Sequence, residues 1–322
     1  MKLCINRLPK LDQAFGGGMH FINAFCDIAR RCGHKVVHTL DDDIDAIIAI
    51  DARPVELGIG IDQMQRFKRE HNDTRVLFRV NECDAKRGAI GEMDTLVKHM
   101  SNAADNVVFV SSWMQSYHAE RGCQPPKSHV IINGIDRTVF KPCDSSAKLS
   151  RQNNKVNIVT AHWSDNAMKG EAYHEWLDAF VAKHPDQFTY TFIGRTNAWL
   201  SNTNHIDPLP PSQLAVELAR YDVCINASQF DPGPNAVLES VACGLPTYVN
   251  VSGGGALEFA GSLHSFSSFD QLERLLLGRT FLQNTVTPLR SWEECIDEYL
   301  GVLTDVTTFT RDEPEQLDGL AI

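Results

Sequence analysis

The sequence predicts an α/β protein built from two Rossmann-like units, and three observations carry that expectation. Short apolar, β-branched runs alternate with segments of helical periodicity along most of the chain, the pattern of a mostly parallel sheet flanked by helices. Glycine- and proline-rich turns sit at the ends of several such runs, where open α/β sheets bind ligands. A length of 322 residues with 43 % hydrophobic content is enough for two domains.

Taken in order, residues 2–7 read as the first strand. A loop ends in Gly16-Gly17-Gly18, and a helix follows from about Met19 to Arg31, with Phe21, Ala24, Phe25, Ile28 and Ala29 at helical spacing. Glycines at such a strand-to-helix turn let the backbone approach a diphosphate. The spacing is not GxGxxG, which argues against a nicotinamide dehydrogenase. Strands are predicted over 35–38 and 45–51, and again over 76–80. That last strand runs into the polar cluster Arg79, Asn81, Glu82, Asp84, Lys86 and Arg87. If a cleft opens here, Arg79, Asn81 and Asp84 are its acceptor-side candidates; a solvated loop of local ion pairs is the alternative. Helices over 93–103 and 112–121 flank a strand over 106–110. A strand over 130–132 then enters the Asn133-Gly134-Ile135-Asp136 turn, with Phe140 and Pro142 beyond it.

A first domain over 1–143 thus gives way to the polar stretch 144–154, which reads as a linker. The second domain, 144–288 with that linker, opens with a strand over 156–160, the loop His162–Gly170 (HWSDNAMKG) and a helix. Arg195 ends the next strand. A helix over 212–220 and the apolar run 221–227 (YDVCINA) lead to Asp231, Pro232-Gly233-Pro234 and a helix over 235–243 closed by Gly244. The N–H groups of Asn235, Ala236 and Val237 would face an anion at that helix start. Glu239 lies a turn further in, and its side chain leans back toward the N-terminus. Asp231 and Glu239 are therefore expected to converge on one ligand. An isolated pair of this spacing is equally compatible with a capped helix and an exposed acid. A strand over 247–249, then Gly253-Gly254-Gly255 and Glu258, repeats the strand, glycine loop and helix design. Helices over 269–277 and 291–305 follow. The last segment, 289–322, ends in an acidic tail from Thr307 that is expected to be mobile.

Net charge is −11, yet residues 1–142 carry 19 Lys and Arg against 18 Asp and Glu, so the acidity lies in the second half. A basic nucleic-acid footprint is absent. No run reaches transmembrane length, and the N-terminus lacks the apolar core of a signal peptide. Nine cysteines without a CxxC pair or metal spacing read as small buried hydrophobes in a reducing compartment, so a cytoplasmic location is expected.

The acid at 231, Pro-Gly-Pro, the acid at 239, the Ala-x-Gly-x-Pro segment and the triple glycine resemble the signature of the retaining glycosyltransferases of family 4, the group 1 family. Asn133-Gly134-Ile135-Asp136 with its later Phe and Pro, and Lys169-Gly170, resemble two further pieces of it. The resemblance spans Gly16 to about Leu303. It implies a GT-B fold, two Rossmann-like domains facing across a cleft, with a nucleotide-sugar donor held mainly by the second and the helix of 289–322 folding back on the first domain. It further implies retention of anomeric configuration, no metal and no cofactor beyond the nucleotide-sugar co-substrate. On this resemblance Asp231 orients the sugar, Lys169 stabilises the diphosphate, and Gly17, Gly18, Asn235, Ala236, Val237 and Glu239 bind the donor. The sequence departs from it twice. Asp231 stands where Glu is usual, and Trp163 where an Arg is usual; Arg195 is the candidate to supply that missing charge. The acceptor is unknown: a glycan, a lipid-linked group, a protein or, with least charge support, a modified nucleic acid. A degenerate nucleotide-sugar-binding module and a GT-B sugar-nucleotide epimerase are the alternative functions.

Overall fold

A computed structural model describes residues 1–10, 16–89, 91–142, 148–284 and 289–304. They form two six-stranded sheets in which every pairing is parallel. The first holds β1 (Lys2–Ile5), β2 (Lys35–Val37), β3 (Ala46–Ala49), β4 (Arg75–Val80), β5 (Asn106–Phe109) and β6 (Ser128–Val130), in the order β2-β1-β3-β4-β5-β6. Its helices are α1 (Gly17–Arg31), α2 (Ile61–Glu70), α3 (Glu92–Ala103) and α4 (Ser112–Glu120).

After a short α5 (Ser150–Asn153) the second sheet takes β7 (Val156–His162), β8 (Phe188–Gly194), β9 (Asn204–Ile206), β10 (Val223–Asn226), β11 (Thr247–Asn250) and β12 (Ser265–Phe266). Its order, β12-β11-β10-β7-β8-β9, is that of a dinucleotide-binding fold, with the strand order reversing between β7 and β10. The intervening helices are α6 (Glu171–Lys183), α7 (Pro211–Leu218), α8 (Asn235–Ala242), α9 (Ala256–Ala260) and α10 (Phe269–Gly278). The central strands β3, β5 and β10 are buried along their whole length, because parallel sheets are covered on both faces. All described cysteines are free, and all but Cys32 are buried. No helix among the described residues is long and apolar enough to cross a membrane.

One helix breaks the division into halves. α11 (Trp292–Thr304) lies against α1, and its Trp292, Cys295, Ile296 and Tyr299 share one core with Leu3, Phe21, Phe25 and Ile48. The Phe21 ring centroid is 4.8 Å from that of Tyr299. The strand leading into α11 touches the Asn133–Asp136 turn, where Ile135 N–H donates to Arg290 O at 2.9 Å. Gly134 is required there, since a Cβ would lie 2.5 Å from Ser291 O and 2.7 Å from Trp292 Cα. We expect Gly134→Ala to cost about 1–3 kcal/mol by overpacking; a melting temperature equal to that of the parent would contradict this crossing.

Several expectations shift in place or kind. The sequence reading passed over α2, whose buried apolar stripe is only Met64 and Phe67. The sixth strand is Ser128–Val130 rather than 130–132. The described part of the expected linker is packed rather than loose: Ser150 Oγ donates to Asp222 at 2.7 Å, and Leu149 N–H to Arg220 O at 2.9 Å. The rest of that linker, residues 144–147, and the acidic tail lie outside the described residues.

Candidate active site

A cleft of about 800 Å³ lies between the two sheets. It is lined from the first half by the loops after β1, β3 and β4 and the start of α1, and from the second by the loops after β7 and β10 and the start of α8. Chain crossover on either side of β1 and of β7 leaves crevices at the strands' carboxyl ends, and both open onto this space.

Asp231 follows β10 through Phe230, a non-glycine residue at φ 51°. That bend is fixed by Phe230 N–H donating to Ser252 O at 2.8 Å and by the Asp231 carbonyl accepting from Gly255 N–H at 2.9 Å. The Asp231 side chain is buried and ion-paired with Lys169 Nζ. Burial alone would push its carboxyl up, but Lys169 and then Lys86 hold it below the usual carboxylate value.

Lys169 ends a 3₁₀ turn, Ala167–Lys169, capped by Asn166 Oδ1 accepting from Met168 N–H at 2.8 Å. Gly170 follows at φ 97°, and a Cβ there would meet that of Ala227 at 2.4 Å. The Lys169 carbonyl accepts from His174 Nε2 at 3.0 Å; that buried imidazole also lies 3.2 Å from His162 Nε2 and from the Tyr190 hydroxyl. A polar network inside the second domain therefore fixes the lysine's backbone.

At the start of α8, Asn235 and Ala236 line the cleft. Val237 does not: its N–H donates to Pro234 O at 3.1 Å and its side chain is fully buried in the core, so it offers no anion contact. Gly17 and Gly18 line the cleft opposite, and a Cβ on Gly17 would sit 3.4 Å from the Asn235 amide. Glu239 is buried at the same wall, and burial pushes its carboxyl up to about 7. His20 Nε2 faces it from α1 at 3.7 Å. Burial pushes that imidazole down to about 4, so at neutral pH the contact joins a neutral imidazole to a carboxyl near its midpoint and is not an ion pair.

On the first-half wall Asn81 and Arg79 line the cleft, but Arg79 is almost wholly buried. Its guanidinium stacks 4.2 Å over Phe21 and donates to Asn133 Oδ1 at 2.8 Å; Asn133 Nδ2 in turn donates to Asn235 Oδ1 at 2.8 Å and Gly233 O at 3.1 Å. Asp84 is a capping residue instead of an acceptor contact. Its carboxylate accepts from the N–H groups of Gly91, Met93 and Asp94 at 2.7, 3.0 and 3.0 Å. Glu258 likewise caps α4 of the other half through Trp113 N–H at 2.7 Å and Ser112 N–H at 3.0 Å, so the second glycine loop serves domain contact.

Arg195 is exposed, lies outside the cleft lining and stacks 4.0 Å from the ring of Trp163, which does line it. Its guanidinium thus lies against a lining ring without being a lining group itself. We expect Arg195→Ala to change turnover by less than about threefold, the scale of a surface contact; a loss beyond tenfold in steady-state rates would return this arginine to the site. Residues that the sequence reading did not single out are His20, Asn133 and Lys86. Lys86 appeared only within a polar cluster, and Asn133 only as part of a turn.

No known protein family matches the sequence, and no curated protein does. Solved structures do. HepE from Anabaena, in a complex with UDP and glucose, is 13 % identical, with a TM-score of 0.72 over 95 % of this chain and 100 % of that one. Sucrose-phosphate synthase from Thermosynechococcus elongatus is 14 % identical, with a TM-score of 0.69 over 94 % and 98 %. WaaG, a glycosyltransferase involved in lipopolysaccharide biosynthesis, is 16 % identical, with a TM-score of 0.59 over 93 % and 95 %. Two parallel sheets of Rossmann type, a cleft between them, and agreement with these structures over nearly full length make this chain a GT-B fold.

Proposed function

We propose that the protein is a retaining glycosyltransferase that moves a sugar from a nucleotide-sugar donor without a metal ion. The observation that carries this is the meeting of Asp231, Lys169, Glu239 and the start of α8 in one cleft, on the wall where the fold binds nucleotides. Structures of HepE in complexes with UDP-glucose and with UDP support the donor class.

As the bond from the anomeric carbon to the diphosphate oxygen breaks, negative charge collects on the leaving diphosphate. Lys169 and the N–H groups at Asn235 and Ala236 oppose that charge, and the Gly17 backbone approaches it from the other half. The acceptor oxygen bonds to the same face of the anomeric carbon, and its proton passes to the departing phosphate. No protein base is then needed. Asp231 orients the sugar and favours positive charge at the ring, while Glu239 accepts hydrogen bonds from the ribose hydroxyls.

A panel of nucleotide sugars screened by thermal shift, with free nucleotides as controls, tests the donor; a ligand at 100 times its Kd stabilises by about 2.7 kcal/mol. The glycoside formed from the stabilising donor when a small alcohol serves as acceptor should keep the donor's anomeric configuration by NMR and form undiminished in EDTA. Inverted product overturns retention. Tight binding without any turnover favours a binding module, and no binding across the panel removes the donor assignment.

A further inference from the structure

The loop after β4 brings a cation to the donor wall from the opposite half. Lys86 lies in the 3₁₀ turn Ala85–Arg87, which packs on the turn carrying Lys169. Asn166 Nδ2 donates to the Lys86 carbonyl at 3.2 Å, and a Cβ on Gly88 would be 3.6 Å from Met168 Sδ. Lys86 lines the same cleft as Lys169 and Asp231. Its ammonium donates to one oxygen of Glu82 at 3.0 Å, while Arg87 donates to the other at 3.0 Å. One carboxylate is thus shared by two cations, which leaves this turn a net positive charge in the cleft that Asp231 also lines.

That surplus matters because Lys169 cannot serve two anions at full strength. Paired with Asp231 it brings no net charge to a diphosphate, the Trp163 ring in the same lining carries none, and Arg195 is not itself a lining residue. Drawn toward phosphate, Lys169 would leave a buried carboxylate that cannot stay ionised without another partner.

We propose that Lys86 is a positioning residue for sugar transfer: supplied by the first half, it keeps Asp231 ionised and in place while Lys169 engages the donor diphosphate. This rests on the reading of the cleft as a nucleotide-sugar site. It also makes the charge set complete only when the two halves are together. Lys86 is the second cation, after Lys169, that lowers the Asp231 carboxyl. Other titratable groups on this wall have partners of their own: His162 meets His174 at 3.2 Å and Arg53 donates to Asp51 at 2.9 Å. Glu82 and Arg87 pair as described, and the Cys83 thiol, pushed up to about 12 mainly by burial, lies 3.9 Å from Phe230 O. Glu258 is committed to α4, and Glu239 lines the cleft on α8.

The test compares Lys86→Gln and Lys86→Arg with the parent, reading kcat and KM for donor hydrolysis from about pH 3 to 8, so that the Asp231 limb, which lies below that of Glu239, falls inside the window. Lys86→Gln should lose kcat about tenfold, with its acid limb raised by about one unit and the donor KM changed less than about threefold. Lys86→Arg should keep both kcat and the limb. A parent-like profile in Lys86→Gln overturns the proposal, as does an equal loss in both variants with an unmoved limb, which would mean the turn merely packs. A carboxyl-carbon NMR titration of Asp231 without donor gives an independent reading: its midpoint should rise by about one unit in Lys86→Gln, and no rise refutes the coupling. A parent inactive on every nucleotide sugar removes the proposed function, and the titration then decides the Lys86–Asp231 coupling alone.

Discussion

Lys169→Ala is expected to lower kcat for sugar transfer or donor hydrolysis by about 10²–10³, the cost of removing one preorganised donor from a developing oxyanion, about 2.7–4 kcal/mol. The loss should fall on kcat more than on donor KM, because the diphosphate gains charge as the bond breaks. A second effect accompanies it. The variant leaves the buried Asp231 without its ion-pair partner, and breaking such a pair from one side destabilises a fold by up to about 3–5 kcal/mol. Lys86 remains nearby and moderates that cost. The double variant Lys169→Ala/Asp231→Asn should recover most of the stability and none of the rate, which separates the two effects. A single variant retaining more than a tenth of parental kcat would remove Lys169 from the reaction.

Glu239→Gln should change how stability depends on pH. The folded protein holds this carboxyl at about 7 against an ordinary value of 4.5, through burial. A raised acid binds its proton more tightly folded than unfolded, so its contribution falls as pH rises from the ordinary value to the folded one and stays low above it. Over that window the parent loses up to about 3 kcal/mol that the glutamine variant keeps. Ligand-free melting temperatures of parent and variant should therefore diverge between about pH 5 and pH 8, with the variant higher at the alkaline end. Donor affinity should move the other way. Hydrogen bonds to a charged acceptor are worth about 1.5–3 kcal/mol, so the variant should bind its donor roughly tenfold or more weakly above neutrality. Parallel melting curves would mean the carboxyl ionises freely; unchanged affinity would place the ribose elsewhere.

Much of this site could be read from the chain because its parts follow from local rules. Asp231, Pro234 and Glu239 sit at a strand end and a helix start, where spacing alone sets direction. Lys169 is tied to Gly170, whose φ of 97° and contact with Ala227 leave room for no other residue. The parts that escaped are those decided by distant packing. Nothing near His20 in sequence shows that it faces Glu239, and nothing near Lys86 shows that its turn meets the Lys169 turn. Arg195 shows the same limit: its neighbours suggest a cation at a strand end, and only the fold shows its guanidinium stacked on Trp163. Asp84 stood among polar residues at a plausible place, and only the path of the chain into α3 shows that three amides consume its carboxylate. α2 was lost because two buried side chains in ten residues make a thin stripe.

The placement of α11 has a bearing on how the polypeptide matures during translation. Phe21 and Phe25 need Trp292 and Tyr299 as cover, and those residues are made some 270 positions later. A ribosome delivers the amino-terminal half early, with the apolar face of α1 only partly covered until α11 emerges. The carboxy-terminal half, whose partners are nearly all its own, can set first. Nascent chains of this protein should therefore be most prone to aggregate before α11 is made and should lose that tendency once it packs on α1.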